Sequence, residues 1–103
     1  MNKRLAFLEQ LAASGKADSF ALYALAMEYR KEARAADALG ALDALRAADA
    51  DYLPMYLMAG QLLGDEGRGD EARRWLEAGI ALATRKGDAH AKSELLSALD
   101  ACA

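Results

Sequence analysis

Cys102 and His90 are the two side chains that could serve as a nucleophile and its base. An imidazole activates a thiol only within hydrogen-bond reach. Twelve residues separate the two positions, about 18 Å along a helix at ~1.5 Å per residue, so one helix cannot bring them together. The same pair falls short of the three or four ligands of a zinc site. Both are therefore expected to be packing or surface residues. Asp65, Glu66, Asp70 and Glu71 gather around Gly67 and Gly69, where carboxylates cap helices and answer the positive end of the helix dipole. Arg68-Gly69-Asp70 spells an adhesion tripeptide, but Gly69 is already explained by the turn. The Gly64 to Gly69 segment has no strand before it and no phosphate-binding lysine, so it is not a nucleotide loop. No metal, cofactor or catalytic activity is expected.

The elements that hold these residues are helices. The 103 residues include 26 Ala and 17 Leu, while the β-branched set is Ile80 and Thr84, with no Val. Strands favour β-branched and aromatic side chains, whereas Ala and Leu lose little entropy in a helix. The chain is expected to be all-α. Its net charge of -3 and the lack of a basic stripe argue against nucleic acid as a partner. The longest uncharged stretch, Tyr52 to Gly64, is well short of the roughly 20 residues that span a membrane. Glu9 and Gln10 interrupt the apolar part of what faintly resembles a signal peptide. A single cysteine excludes an intramolecular disulfide, so a reduced cytoplasm is the expected location.

Breakers cut the chain into six helical runs. The first spans about Asn2 to Ala13 and stops at Gly15, a residue suited to a left-handed cap. Asp18 or Ser19 opens the second, with Leu22, Leu25, Ala26 and Tyr29 on its apolar side. The third runs from Ala35 to Ala48. Pro54 starts the fourth, in a place where its missing amide costs nothing, and Gly64 or a residue just beyond ends it. Asp70 is expected to cap the fifth, and Gly87-Asp88 separates it from a sixth over Ala89 to Ala101.

Short turns between helices of this length make antiparallel hairpins. A shift of 34 places lays Glu32, Arg34, Ala38, Leu42, Ala44 and Ala47 on Glu66, Arg68, Ala72, Leu76, Ala78 and Ala81. Asp37 and Asp43 meet Glu71 and Glu77, and Ala33 and Ala35 meet Gly67 and Gly69, small residues where two helices are expected to approach closely. Leu22, Leu25, Ala26 and Tyr29 correspond to Tyr56, Ala59, Gly60 and Leu63. In these residues the chain resembles the tetratricopeptide repeat, a helix-turn-helix unit of that period. Two departures stand out. Leu45 occupies a place where the family prefers a small residue, as Gly79 does, and Ala50 and Thr84 replace the proline usual at a repeat end.

The resemblance implies one all-α domain over 1–103, a right-handed α-solenoid of antiparallel helix hairpins. Repeats would cover 19–51 and 53–86, between capping helices at 1–14 and 88–102. It also implies a non-enzymatic scaffold that binds a peptide or helix of a partner protein in a concave groove lined by the first helix of each repeat. The groove places fall on Phe20, Tyr23, Met27, Arg30 and Lys31, then on Leu57, Gln61, Gly64 and Asp65, with Ala91 and Leu95 continuing the surface. Tyr23, Met27, Leu57 and Gln61 stand where chaperone-binding members carry Lys, Asn and Arg, so no carboxylate clamp is expected. An apolar occupant suits this lining. Two repeats are few for a solenoid, which makes self-assembly through the groove or end helices the second expectation. Trp75 takes the place of Ala41 one period earlier and needs a new neighbour, either the last helix or a partner at an exposed patch.

Overall fold

Asn2, Asp18 and Asp88 each turn a side-chain oxygen back onto the first turn of a helix, accepting from the amides of Leu5 (3.0 Å), Ala21 (2.8 Å) and Ala91 (3.0 Å). These caps open α1 (Lys3–Ala13), α2 (Ser19–Lys31) and α6 (Ala89–Ala101) in the computed structural model, which describes residues 1–102. Ala103, the last residue of the expected domain, lies outside them. Pro54 opens α4 (Pro54–Asp65), while α3 (Ala35–Ala48) and α5 (Gly69–Lys86) begin after Arg34 and Arg68. The described residues form six helices and no strand, so the chain is all-α.

Four helices end in the same way. The residue at the turn adopts the left-handed conformation: Gly15 (φ 73°), Ala33 (57°), Gly67 (75°) and Gly87 (69°). After α2, the amides of Ala33 and Arg34 donate to the carbonyls of Arg30 (3.0 Å) and Tyr29 (2.9 Å). After α4, those of Gly67 and Arg68 donate to Gly64 (3.1 Å) and Leu63 (2.8 Å). This is the Schellman arrangement, which satisfies carbonyls that the helix end would leave unpaired. Ala33 and Gly67 thus answer a backbone requirement rather than a close approach, since a Cβ at Gly67 or Gly69 would meet nothing within 4 Å. The turn after α4 leads directly into α5, so Asp70 is the second residue of the helix and not its cap. Arg34 and Arg68 instead reach forward three residues to Asp37 (2.9 Å) and Glu71.

The chain divides into two units, Met1–Ala50 and the residues from Asp51 onward. In the first, α2 packs on both α1 and α3; in the second, α5 packs on α4 and α6. The first core is built around Leu5, Leu8, Leu25, Leu42 and Leu45 with several alanines. The second holds Met55, Tyr56, Leu63, Trp75, Leu76 and Leu95. Trp75 is buried, its ring 5.7 Å from that of Tyr56 and tilted by 56°, so it forms no exposed patch. A Cβ on Gly79 would lie 2.6 Å from Tyr56 Cβ, and one on Gly60 would run into the Leu76 side chain. Leu22, Ala41 and Leu45 occupy in the first repeat the places of Tyr56, Trp75 and Gly79. Two aromatic rings with a glycine replace two leucines with an alanine, and this exchange of volume explains both Leu45 and Trp75.

Candidate functional site

Phe20, Tyr23 and Met27 follow one another at spacings that keep them on one side of α2. Phe20 is 62% exposed; Tyr23 and Met27 are half-buried, and Arg30 and Lys31 are exposed at the C-terminal end of the strip. On α4, Leu57 is half-buried and Gln61, Gly64 and Asp65 are exposed. α2 and α4 thus each carry a short strip, apolar toward the N-terminal end of the helix and polar toward the other end.

Leu95 does not belong to such a surface. It is 2% exposed, and its Cδ2 would lie 3.0 Å from a Cβ on Gly79. The cause is a change of register. The inward-facing residues of α6, Ala91, Leu95 and Ala98, follow the buried Tyr56, Gly60 and Leu63 of α4 by 35 residues instead of 34, and one residue turns a helix face by about 100°. Leu95 thereby falls in the place of Gly60, on the buried side, and not in that of Gln61. α5 is also longer than α3, 18 residues against 14, so the approach to α6 differs from the approach to α4.

Two polar clusters tie α1 to its neighbours, and sequence periodicity reveals neither. Glu28 is buried on α2 and accepts from Asn2 Nδ2 at 3.0 Å, with Lys31 Nζ at 3.5 Å and Arg4 Nε at 3.4 Å. The Asn2 hydrogen bond, helped by the Lys31 and Arg4 charges and opposed by burial, holds its carboxyl below the ordinary value. Asn2 thereby binds at both ends, its oxygen capping α1 and its amide held by α2. In the second cluster the Tyr29 hydroxyl donates to Glu9 Oε2 at 2.7 Å, and the Arg34 guanidinium lies 4.7 Å from the centre of the Tyr29 ring. Burial, and then the hydrogen bond to Glu9, push the Tyr29 phenol up to about 12. The available signal for the first cluster was Glu28 itself, the one acidic residue of α2, on the side that carries Leu25.

His90 is exposed at the start of α6, 3.4 Å from Glu94 Oε1, and Cys102 lies at the other end of that helix, its Sγ 3.7 Å from where a Cβ on Gly64 would stand. Among the described residues no three His, Cys, Asp or Glu side chains gather as a metal site, and no helix is long and apolar enough to cross a membrane.

No protein-family profile matches the sequence, and comparison with curated proteins gives no match. Solved structures do match. A tetratricopeptide repeat domain protein from Salinibacter ruber is 34% identical in its crystal structure, over 82% of this chain and 96% of that one, with a TM-score of 0.77. The chain belongs to the tetratricopeptide-repeat family. The solution structure of the same kind of domain from Salinibacter ruber gives a TM-score of 0.78, covering 82% of this repeat chain and 86% of that one. A protein from Bordetella parapertussis, 26% identical, covers 99% of the chain with a TM-score of 0.83. The tetratricopeptide-repeat fold is in general a scaffold for protein interaction, so proteins are the partner class that it indicates.

Proposed function

We propose that this tetratricopeptide-repeat chain is a non-enzymatic cytoplasmic adaptor that holds an apolar peptide or helix of a partner protein. Repeats at 19–51 and 53–86, between capping helices at 1–14 and 88–102, would present the binding face. The observation that carries the reading is the α2 strip: Phe20 stands largely in solvent at the start of a run that continues through Tyr23 and Met27. A large apolar side chain left in water at the head of a helically spaced apolar run, on a protein-interaction fold, is what an apolar partner requires. Leu57 is the half-buried apolar residue of the corresponding strip on α4, with Gln61 and Asp65 beyond it as Arg30 and Lys31 stand beyond Met27 on α2. Tyr and Met suit such contacts because one gives area at low entropic cost and the other adapts its shape.

Replacing Tyr23 and Leu57 together by Lys is expected to leave the helical circular dichroism intact and to remove partner capture. The loss is about 2 kcal/mol or more of binding free energy if both residues are anchors. Undiminished capture by this double variant would take the strip out of the binding surface.

A further inference from the structure

We propose that the open side of α1 seats an acidic amphipathic helix of a partner protein, which pairs with α1 as the first helix of a repeat pairs with the second. By the 34-residue register α1 stands where a repeat has its second helix. Phe7, Leu8 and Leu11 take the places of Ala41, Leu42 and Leu45 in α3, and of Trp75, Leu76 and Gly79 in α5. All of those places are buried. In α5 it is the first helix of the repeat that covers them: the Tyr56 ring lies 5.7 Å from Trp75, Tyr56 Cβ stands over Gly79, and Leu76 fills the space beside Gly60. On α1 the corresponding side is open. Leu8 is buried, but Leu11 is half-buried and Phe7 is 60% exposed. A hollow of about 260 Å³ lies among Phe7, Gln10, Leu11, Ser14 and Lys16. The α4–α5 pair therefore shows what fits α1: an antiparallel helix with a large apolar residue at the level of Tyr56 and a small one at that of Gly60.

Charge adds the rest of the specification. Asp51, five residues before Tyr56, lies 3.9 Å from Arg85 near the end of α5, and Lys16 stands one residue from the place of Arg85 in the register of α1. At the other end Arg4 takes the place of Ala72. Continuing the antiparallel match of Tyr56 with Gly79 and of Gly60 with Leu76 sets Arg4 opposite the level of Gly64. Around this end Lys3, Arg4 and Lys31 outnumber Glu28 and Glu32. The partner helix thus carries one carboxylate about five residues before its large apolar residue and another about eight after it. No first helix of this chain answers that pattern. α2 has Ala17 and Arg30 at the two acidic places, α4 is covered by α5, and α6 offers either His90 with Glu94 or the buried Leu95. Two copies of α1 laid antiparallel would bring Lys3 and Arg4 toward Lys16, like charge to like. The occupant is therefore another protein and not a second copy. It uses neither the α2 strip nor the α4 strip, so it stands apart from the adaptor reading.

The probe is a fluorescein-labelled peptide of the α4 sequence, residues 51–66 with Gly64→Glu, titrated with the whole chain by fluorescence anisotropy. Binding should be saturable. Phe7→Glu should weaken it about tenfold or more. Lys16→Glu should weaken it about threefold, and a peptide that also carries Asp51→Lys should prefer this variant to the wild type. Phe7 and Lys16 are exposed, and unchanged helical circular dichroism confirms folding. Tyr23→Lys with Leu57→Lys should leave the peptide bound, which separates this face from the strips of the adaptor reading. A wild type without saturable binding overturns the proposal. So does binding that both Phe7→Glu and Lys16→Glu leave unchanged, or that the Tyr23 and Leu57 variant removes. A peptide-free chain whose mass in sedimentation equilibrium rises with concentration, and returns to the monomer in Phe7→Glu, would put a second copy on α1 and overturn it as well.

Discussion

Ala33 adopts a left-handed backbone, with φ 57°, at the place that Gly67 fills in the next repeat. The left-handed region costs a residue with a Cβ about 1–2 kcal/mol, and glycine much less. Ala33→Gly should therefore raise stability by about 1 kcal/mol, and Gly67→Ala should lower it by a similar amount, both read from urea denaturation. A loss of stability in Ala33→Gly would show that the turn is not held in this conformation. Glu28 supplies a pH dependence. Its folded pKa lies below the ordinary 4.5, so its stabilising contribution is complete above about 4.5 and is lost as pH falls through the lower folded value. Glu28→Gln should flatten the stability profile in that acid window, and an unchanged acid limb would mean that other carboxylates govern it. Tyr29 titrates in the opposite direction, with a folded pKa of about 12 against an ordinary 10.0. What it contributes is present below 10 and lost as pH rises through 12. Ultraviolet titration compared between the wild type and Tyr29→Phe should show a phenol that ionises near pH 12, and Glu9→Gln should lower that step.

At the scale of the element, α4 and α5 meet across two glycines whose missing side chains make the contact. Gly79→Ala would put a methyl group 2.6 Å from Tyr56 Cβ, an atom fixed to the backbone of α4. The two helices must then move apart, and overpacking of this kind costs about 1–3 kcal/mol. Thermal denaturation is the simplest readout. Tyr56→Leu keeps the same Cβ, so it should leave the cost of Gly79→Ala in place, and the two losses should add. A double variant much more stable than their sum would show that the ring, and not the Cβ, limits the approach of the helices.

Across the whole molecule, the two units differ in what they bury. Met55, Tyr56, Met58, Leu62, Leu63, Trp75 and Leu76 fill the second, while the first relies on five leucines and small alanines and holds α1 partly by polar links. Burial of apolar surface is worth about 25 cal/mol per Å², so larger buried side chains should make α4 and α5 the last helices to open. Hydrogen exchange is expected to be slowest in α4 and α5 and fastest in α1. Slower exchange in α1 than in α5 would contradict this ranking of the cores.

Much of the architecture was legible in the residues because it follows from local rules. The absence of Val, the glycines at 15, 67 and 87, the caps at Asp18 and Asp88 and the match of Arg34 to Arg68 each act within a few neighbours, and they define six helices and the family. The apolar strips on α2 and α4 were legible for the same reason, since spacing alone places residues on a face. What needed tertiary structure depends on residues far apart in the chain. Glu28 is buried as a charge because Asn2, 26 residues away, reaches it from α1. Trp75 is core because Tyr56 is its neighbour and Gly79 leaves room beside that ring. Leu95 moved from the expected groove to the interior because a single-residue change in register, invisible to a fixed period, turned α6 by about 100°.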